Sequence, residues 1–475
     1  MKSLTCQQTK EMIRVILRLC LLFFFIFPVT GLAAPATKDS SPEIFPHEIN
    51  DSQTKITQPT KISLDQAIND AQKKNLRLNN LRLEADGFSL EAQKIFKQKL
   101  FTINATGNYL YKSQTIFVEL PPFSPTANAA SPFRLEGGFK HNYDFGLAVT
   151  QPLFTGGRLS AQASFFRSAE AATSIKMTLL ANEIATNLKL LFFEYRRLKA
   201  RKNSLLAFKE QLSLHEKKIA SLVEAELARR LNLVETKMKM EEVAASLLDI
   251  EQALAAIRFD FQQLCGYWPD EIEDNYQERT LNLEEAIAYF EQNHPQLKIY
   301  QEKINQLGLQ KKIIQANNLP QIATVAEVHY GRPGLNFFKK EWSFYATAGL
   351  AIQFRFFDWF QGRNQIEQLN LDEQKIIKEK EDFLARGKLE LKKLYEQKEI
   401  LAGKLNHLEN ILRLAEEEVK IKEELARQNL LPHLDYLASL QAFEQNKWAR
   451  EEILLMIEEI KVKINSVIAL KGESR

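Results

Sequence analysis

The apolar residues between Arg158 and Cys265 keep a seven-residue beat. Ile184, Leu191, Leu198, Leu205, Leu212 and Ile219 share one heptad position, and Leu188, Tyr195 and Val223 fall among the intervening ones. Such a repeat predicts helices packed side by side and nearly parallel. The stretch also runs for more than a hundred residues without a glycine or a proline. Around Arg229, Arg230, Leu231, Asn232 and Leu233 the pattern offers a place to turn. The reading is therefore two antiparallel helices, the first about 70 residues long and, at about 1.5 Å per residue, reaching roughly 100 Å. A second pair lies between Arg363 and Lys471, where Leu394, Leu401, Leu405, Leu408, Leu412 and Val419 keep the same beat. Pro432 marks its turn, because proline suits the first position of a new helix and not an interior one.

Ahead of each long hairpin the pattern passes from helical to alternating. Leu64-Asp65-Gln66-Ala67-Ile68 opens a helical stretch carrying Leu76, Leu81, Phe88 and Ile95, and Leu283-Glu284-Glu285-Ala286-Ile287 opens another carrying Leu297, Ile304 and Ile313. The chain reads as two internal repeats, 62–280 and 281–471. Period two begins at Thr102: Ile103, Ala105, Gly107, Tyr109 and Tyr111 alternate with Thr102, Asn104, Thr106 and Asn108. Tyr143, Phe145, Leu147 and Val149 continue the pattern, giving a strand hairpin over 102–151. Ile322 to Tyr330 and Trp342 to Phe354 give a second hairpin over 321–356. Between the first two strands lies a Pro- and Ala-rich loop, Lys112 to His141.

Four strands of about ten residues, aromatic near their ends, fit a membrane barrel. They fit equally a half-buried sheet in a soluble domain. Four strands close no pore, and open sheet edges do not occur in lipid. Either the sheet is soluble, or several copies share one barrel, and cyclic symmetry removes every edge. The long helical hairpins at 156–265 and 361–470 favour the shared barrel.

Composition adds less. Sixty-three basic and 60 acidic residues give a net charge of +3 and are interspersed along the helices, which is the signature of solvated faces. No basic block interleaved with aromatics points to nucleic acid. Lys2, Lys10, Arg14 and Arg18 precede the apolar run Leu19 to Phe27, followed by Pro28 and small residues to Ala36. This predicts a signal peptide over 1–36. A Pro-, Ser- and Thr-rich tether follows over 37–61. Without Cys6 and Cys20, Cys265 stands alone, a buried small residue before the helix-capping Gly266. The seven histidines are scattered, with neither HExxH nor GxSxG, and read as solvated residues. Gly156-Gly157 lacks the Lys-Ser/Thr of a phosphate loop. No catalytic residue, cofactor or metal site is expected.

In order and in duplication these pieces resemble the TolC family of outer-membrane efflux and secretion channels. The likeness rests on the two openers, on Asn318-Leu319-Pro320 before the third strand, and on Gln151-Pro152-Leu153-Phe154-Thr155-Gly156-Gly157-Arg158 at a strand-to-helix junction. Phe356-Phe357-Asp358 through Gly362-Arg363 is the counterpart junction, with Arg355 in place of the family's proline. The resemblance covers about residues 62 to 471. It implies an α+β membrane protein in the outer membrane of a Gram-negative bacterium. Its homotrimer would place four strands per protomer in one lipid-embedded barrel and the helices in one periplasmic tunnel. It also implies two partners, a periplasmic adaptor protein and an inner-membrane transporter, for efflux or type I secretion.

The family's turn pattern, Gly-x-x-Ser followed by an acidic residue, falls on Arg229 to Asn232 with Glu235, and on Asn429 to Pro432 with Asp435. Neither turn keeps its glycine, and Ala426 and Leu431 occupy the places of the family's gate-tethering tyrosine and arginine. Facing a tunnel in threefold symmetry, Glu235 and Asp435 would form a carboxylate ring favouring cations. Leu231, Leu233, Leu430 and Leu431 are apolar residues at turns, suited to docking an adaptor or to packing between neighbouring turns. The alternative of another class is a secreted coiled-coil scaffold or adhesin without pore activity.

Overall fold

The computed structural model describes residues 61–120, 133–268, 271–272, 280–339, 341–428 and 430–470. The expected signal peptide, almost all of the tether, and Asn429 lie outside the described residues. The chain opens on a two-residue strand β1 (Lys61–Ile62), then helices α1 (Leu64–Lys74) and α2 (Leu76–Lys97). Strands β2 (Thr102–Tyr111), β3 (Ile116–Leu120), β4 (Phe133–Gly137) and β5 (His141–Phe154) lead to the hairpin α3 (Arg158–Glu224) and α4 (Arg230–Cys265). After β6 (Glu271–Ile272) come α5 (Leu283–Asn293), α6 (Pro295–Asn317), β7 (Gln321–Arg332), β8 (Ser343–Gln353), and the hairpin α7 (Gln361–Arg427) and α8 (His433–Val467).

The two openers are helix starts, and the structure gives their third and fourth residues matching roles. Ser63 and Gln66 form a reciprocal capping box at α1, and Asn282 and Glu285 form another at α5. Each satisfies two backbone donors that a helix start leaves without partners. The next residue, Ala67 or Ala286, is fully buried. It seats its short helix on a long hairpin: α1 covers Ile184, Leu188 and Phe192 of α3 and Phe261 and Cys265 of α4, while α5 covers Leu391 and Leu394 of α7 and Ile460 and Ile464 of α8.

Cys265 is the buried residue expected. Its Sγ–H points at the Ala67 carbonyl, 3.6 Å away, and burial pushes the thiol up to about 12. Gly266 takes the left-handed cap at φ 80°. The heptad positions hold as well: Leu212 of α3, Val243 and Leu247 of α4, and Tyr436, Leu437 and Leu440 of α8 share one core, with Val419 and Ala426 of α7 against it.

Strands β2, β5, β7 and β8 form one antiparallel sheet in that order. Its register carries rows straight across: Ile103, Val149, Ala326 and Ala348 form one, and Ala105, Leu147, Val328 and Ala346 the next on the same face. Two details depart from expectation. The stretch 112–141 holds a second antiparallel pair, β3 with β4, where composition suggested only a loop; five-residue strands between prolines give too short a period to read. Pro432 sits one position earlier than predicted, as the N-cap of α8, where its carbonyl accepts the Asp435 N–H at 3.1 Å.

Close approach decides one glycine. A Cβ on Gly387, inside α7, would lie 2.1 Å from Cζ of the fully buried Phe290 of α5. Gly403, about four turns further along α7, has nothing within 4 Å. Replacing Gly387 by Ala should therefore lower thermal stability in detergent by about 1–3 kcal/mol of overpacking, against a helix-propensity gain of about 1 kcal/mol. Gly403→Ala should raise it by about 1 kcal/mol. Equal gains for both variants would show that Phe290 is free to move aside.

Candidate functional site

Two regions carry the features that the alternating strands and the helical turns predict. The first is the sheet. One face is apolar and open to the surroundings, with Leu147 54% and Leu350 66% exposed. Aromatic rings gather at both of its ends. Trp342 lies 5.1 Å from Tyr330, 5.8 Å from Tyr143 and 6.4 Å from Phe145. At the other end stand Phe154, Phe354, Phe356, Phe357, Trp359 and Phe360, all exposed. Phe344 in β8 and Phe354 just past its end are ten residues apart, about 33 Å at about 3.3 Å per residue, or about 25 Å of vertical height at a tilt of about 40°. That height is the apolar thickness a membrane barrel presents.

The opposite face is polar: Asn104, Thr106, Asn108, Asp144, Glu327, His329, Thr347 and Tyr345 occupy it by register. His329 Nδ1 lies 3.0 Å from Asp144 and its Nε2 3.4 Å from Glu327, with the ring stacked on Tyr345 at 4.9 Å. The outer strands β2 and β8 each have one side without a strand partner among the described residues.

Below the sheet, β5 enters α3 through Gly156 and Gly157 at φ 61° and 81°, and a Cβ on Gly156 would meet the Ala316 carbonyl at 2.9 Å. The counterpart junction reaches the same backbone region with Trp359 and Phe360, at φ 53° and 60°. Left-handed geometry costs a non-glycine residue about 1–2 kcal/mol. Here Asp358 offsets part of it by accepting the Gly362 N–H at 3.0 Å.

The second region is the turn end of the hairpins. The first turn lies at Ala225 to Arg229, slightly earlier than the sequence suggested. Arg230, Leu231, Asn232 and Leu233 begin α4. The left-handed residue is Glu226 at φ 62°, and Arg229 is extended at φ −77°. A Schellman-type bond from the Leu227 N–H to the Leu222 carbonyl closes α3, which is why no glycine is needed at Arg229. In the second turn the Leu430 N–H bonds to the Leu425 carbonyl in the same way.

Leu231 and Leu430 project into solvent, 59% and 70% exposed, while Leu233 and Leu431 are half-buried. Glu235 is half-buried and Asp435 exposed; among the described residues neither carboxylate has a side-chain hydrogen bond or an ion pair. Each lies within two helical turns of its helix start. The two starts are joined, since Thr236 Oγ1 of α4 lies 2.9 Å from His433 Nε2 of α8.

His141 and His407 are exposed as expected, but other histidines depart from the expectation of solvated residues. His294 is buried as the N-cap of α6, accepting the Gln296 N–H at 3.1 Å, and burial pulls it down to about 4. His433 is buried, and His215 of α3 stacks on it with ring centroids 4.8 Å apart and planes 7° off parallel. The heptad gives no warning of this: its intervening position falls four residues after Leu212, at Glu216, and His215 meets His433 only because α8 packs against α3. Among the described residues there is no group of three metal-binding side chains, and no helix is long and apolar enough to cross a membrane.

No protein-family model matches the chain, and no curated protein does either. Solved structures match along most of its length. CusC, a transmembrane channel, aligns over 86% of this chain and 93% of its own at a TM-score of 0.69 and 12% identity. The outer membrane protein VceC from Vibrio cholerae covers 86% and 96% at 0.67 and 17%, and the Campylobacter jejuni CmeC outer membrane channel 86% and 86% at 0.66 and 12%. The chain has the fold of these outer-membrane channels. Within that channel fold, identity this low leaves the side chains at the turns to be argued on their own chemistry.

One consequence concerns the joint between turns. Thr236 is fully buried, so Thr236→Val removes a hydrogen-bond partner from His433 without changing shape, at a cost of about 1–3 kcal/mol. Limited proteolysis should cut the variant faster at 225–233, at unchanged cutting elsewhere. An unaltered cleavage rate would mean that the bond contributes nothing to closing the turns.

Proposed function

We propose that this chain is one protomer of a homotrimeric outer-membrane channel of the TolC type, forming an exit duct across the outer membrane and periplasm of a Gram-negative bacterium. The observation that carries the reading is the four-stranded sheet: its apolar face is open, its height matches an apolar bilayer core, and its two outer edges lack strand partners among the described residues. Three copies would give a closed barrel of twelve strands, with no edge left in lipid. The polar face, with Asp144, Glu327 and His329, then lines a wet interior, and the apolar face meets outer-membrane lipid.

Internal duplication is supported by paired helix lengths in the two halves: 11 and 11 residues, 22 and 23, 67 and 67, 36 and 35. The 67-residue helices, each about 100 Å at about 1.5 Å per residue, are long enough to form a periplasmic tunnel. Transport through such a duct needs no catalytic group. Energy would come from an inner-membrane transporter, coupled through a periplasmic adaptor in efflux or type I secretion. The exposed Leu231 and Leu430 at the turn end suit an adaptor's apolar contact. Glu235 and Asp435, both without an ion pair among the described residues, suit a carboxylate constriction that attracts cations and opposes anions.

Planar-bilayer recording of the detergent-purified protein tests the reading. Small, cation-selective, mostly closed events are expected, and Asp435→Asn should lower the cation preference severalfold. Unchanged selectivity in that variant would remove Asp435 from the constriction. A particle that stays soluble without detergent and conducts nothing would replace the channel by a secreted scaffold.

A further inference from the structure

The turn end contains a titratable pair that the duct itself does not require. His215 of α3 and His433 of α8 stack face to face at 4.8 Å, bringing together helices from the two different hairpins. Tyr436 of α8 closes one side, 5.1 Å from the His215 ring. His433 Nε2 is engaged by Thr236 of α4. His215 Nε2 is buried with no hydrogen-bond partner among the described residues. Below the pair lies the shared core of Phe208, Leu212, Val243, Leu247, Leu437 and Leu440 from α3, α4 and α8, with Val419 and Ala426 of α7 packed against it. Together with the Thr236–His433 hydrogen bond, the stack joins the two hairpins close to their turns.

Among the described residues no carboxylate hydrogen-bonds or pairs with either ring, and Glu235 of α4, next to Thr236, is half-buried and makes no ion pair there. On α3, Lys218 acts on His215 and opposes a further positive charge. Glu216, also on α3, is committed to Lys237 of α4 at 3.6 Å. On α7, Glu423 lies near Tyr436. On α8, Asp435 is exposed and hydrogen-bonds through its backbone only, among the described residues. Protonating either ring therefore buries a cation without a partner, and protonating both sets two like charges a ring's breadth apart.

We propose that the His215–His433 stack is a pH-responsive latch: neutral, it holds the two turns together, and protonated, it releases them. The sign follows from the geometry. Burial and the partner imidazole pull His215 down to about 4, and burial lowers His433. The neutral pair thus stabilises the closed turns fully above about 6.5, the ordinary histidine value, and that contribution is lost as the pH falls toward about 4. A depression of that size corresponds to a preference for neutral His215 on the order of a few hundredfold.

The latch belongs to the single chain; its consequence for transport rests on the channel reading. Two measurements keep these apart. In planar bilayers at pH 7.5 and pH 4.5, the open fraction of the native channel should rise severalfold at the lower pH, while His215→Phe/His433→Phe, which keeps two stacked rings without a titrating group, should not respond. An equal rise in both proteins, or in neither, would overturn the proposal.

If no conductance is seen at any pH, the channel reading fails and the latch is decided in detergent by backbone hydrogen exchange. Exchange over 433–440, taken as a ratio to 184–192 in the same molecule, should increase severalfold on acidification in the native protein and stay constant in the double variant. The same ratio change in both would overturn the latch. If the double variant proves too unstable to purify, His215→Phe alone serves, with a reduced response expected and a full native response contradicting the proposal.

Discussion

Backbone N–H and C=O groups along a strand have to find partners, and in this chain those on the outer sides of β2 and β8 find none within the sheet. In water that vacancy is tolerable. Beside an apolar face as open as the one bearing Leu147 and Leu350 it is not, because that face calls for lipid and lipid supplies no hydrogen bonds. The two demands are compatible only if the edges meet other strands. Everything else in the proposed assembly follows from this: a cyclic arrangement, a polar interior, and long helices carried in the same cyclic order beneath the barrel.

The helices meet a different constraint. A pair of helices 67 and 36 residues long buries only a narrow stripe, and a hairpin of that length needs other elements along its sides. The short helices provide them. The capping boxes at Ser63 and Asn282 start α1 and α5 at defined places, and Ala67 and Ala286 let them approach the hairpins closely. Phe290 fills the space that Gly387 leaves in α7. At the far end the core around Leu212 and Leu437 joins the hairpins, and the His215–His433 stack finishes it.

Periodicity made much of this legible. The seven-residue beat marked the long helices, and period two marked all four strands of the main sheet to within a few residues, because each element is long enough to show many cycles. Short elements escaped: β3 and β4 have five residues each and sit among prolines. The first turn was displaced because a Schellman closure at Glu226 needs no glycine, and Arg229 was read as if it did. His215 and His433 escape the sequence for another reason: their enclosure, half-buried for one and buried for the other, depends on how α3 and α8 come together, a contact between segments more than two hundred residues apart. Sequence likeness pointed to the channel fold through loose motifs, Gly156-Gly157 among them, whose left-handed angles show why glycine stands there. The same angles at Trp359 and Phe360 show that the motif's chemistry can be replaced when the backbone around it is held.

The claim most exposed to refutation is that the sheet closes between copies. Its direct measurement is the mass of the particle extracted in mild detergent, by light scattering corrected for bound detergent or by native mass spectrometry. Three chains per particle, dissociating only when the strands unfold, is the result predicted by edges that pair with one another. A particle of one chain, folded and stable with β2 and β8 exchanging their amide hydrogens freely, would contradict it.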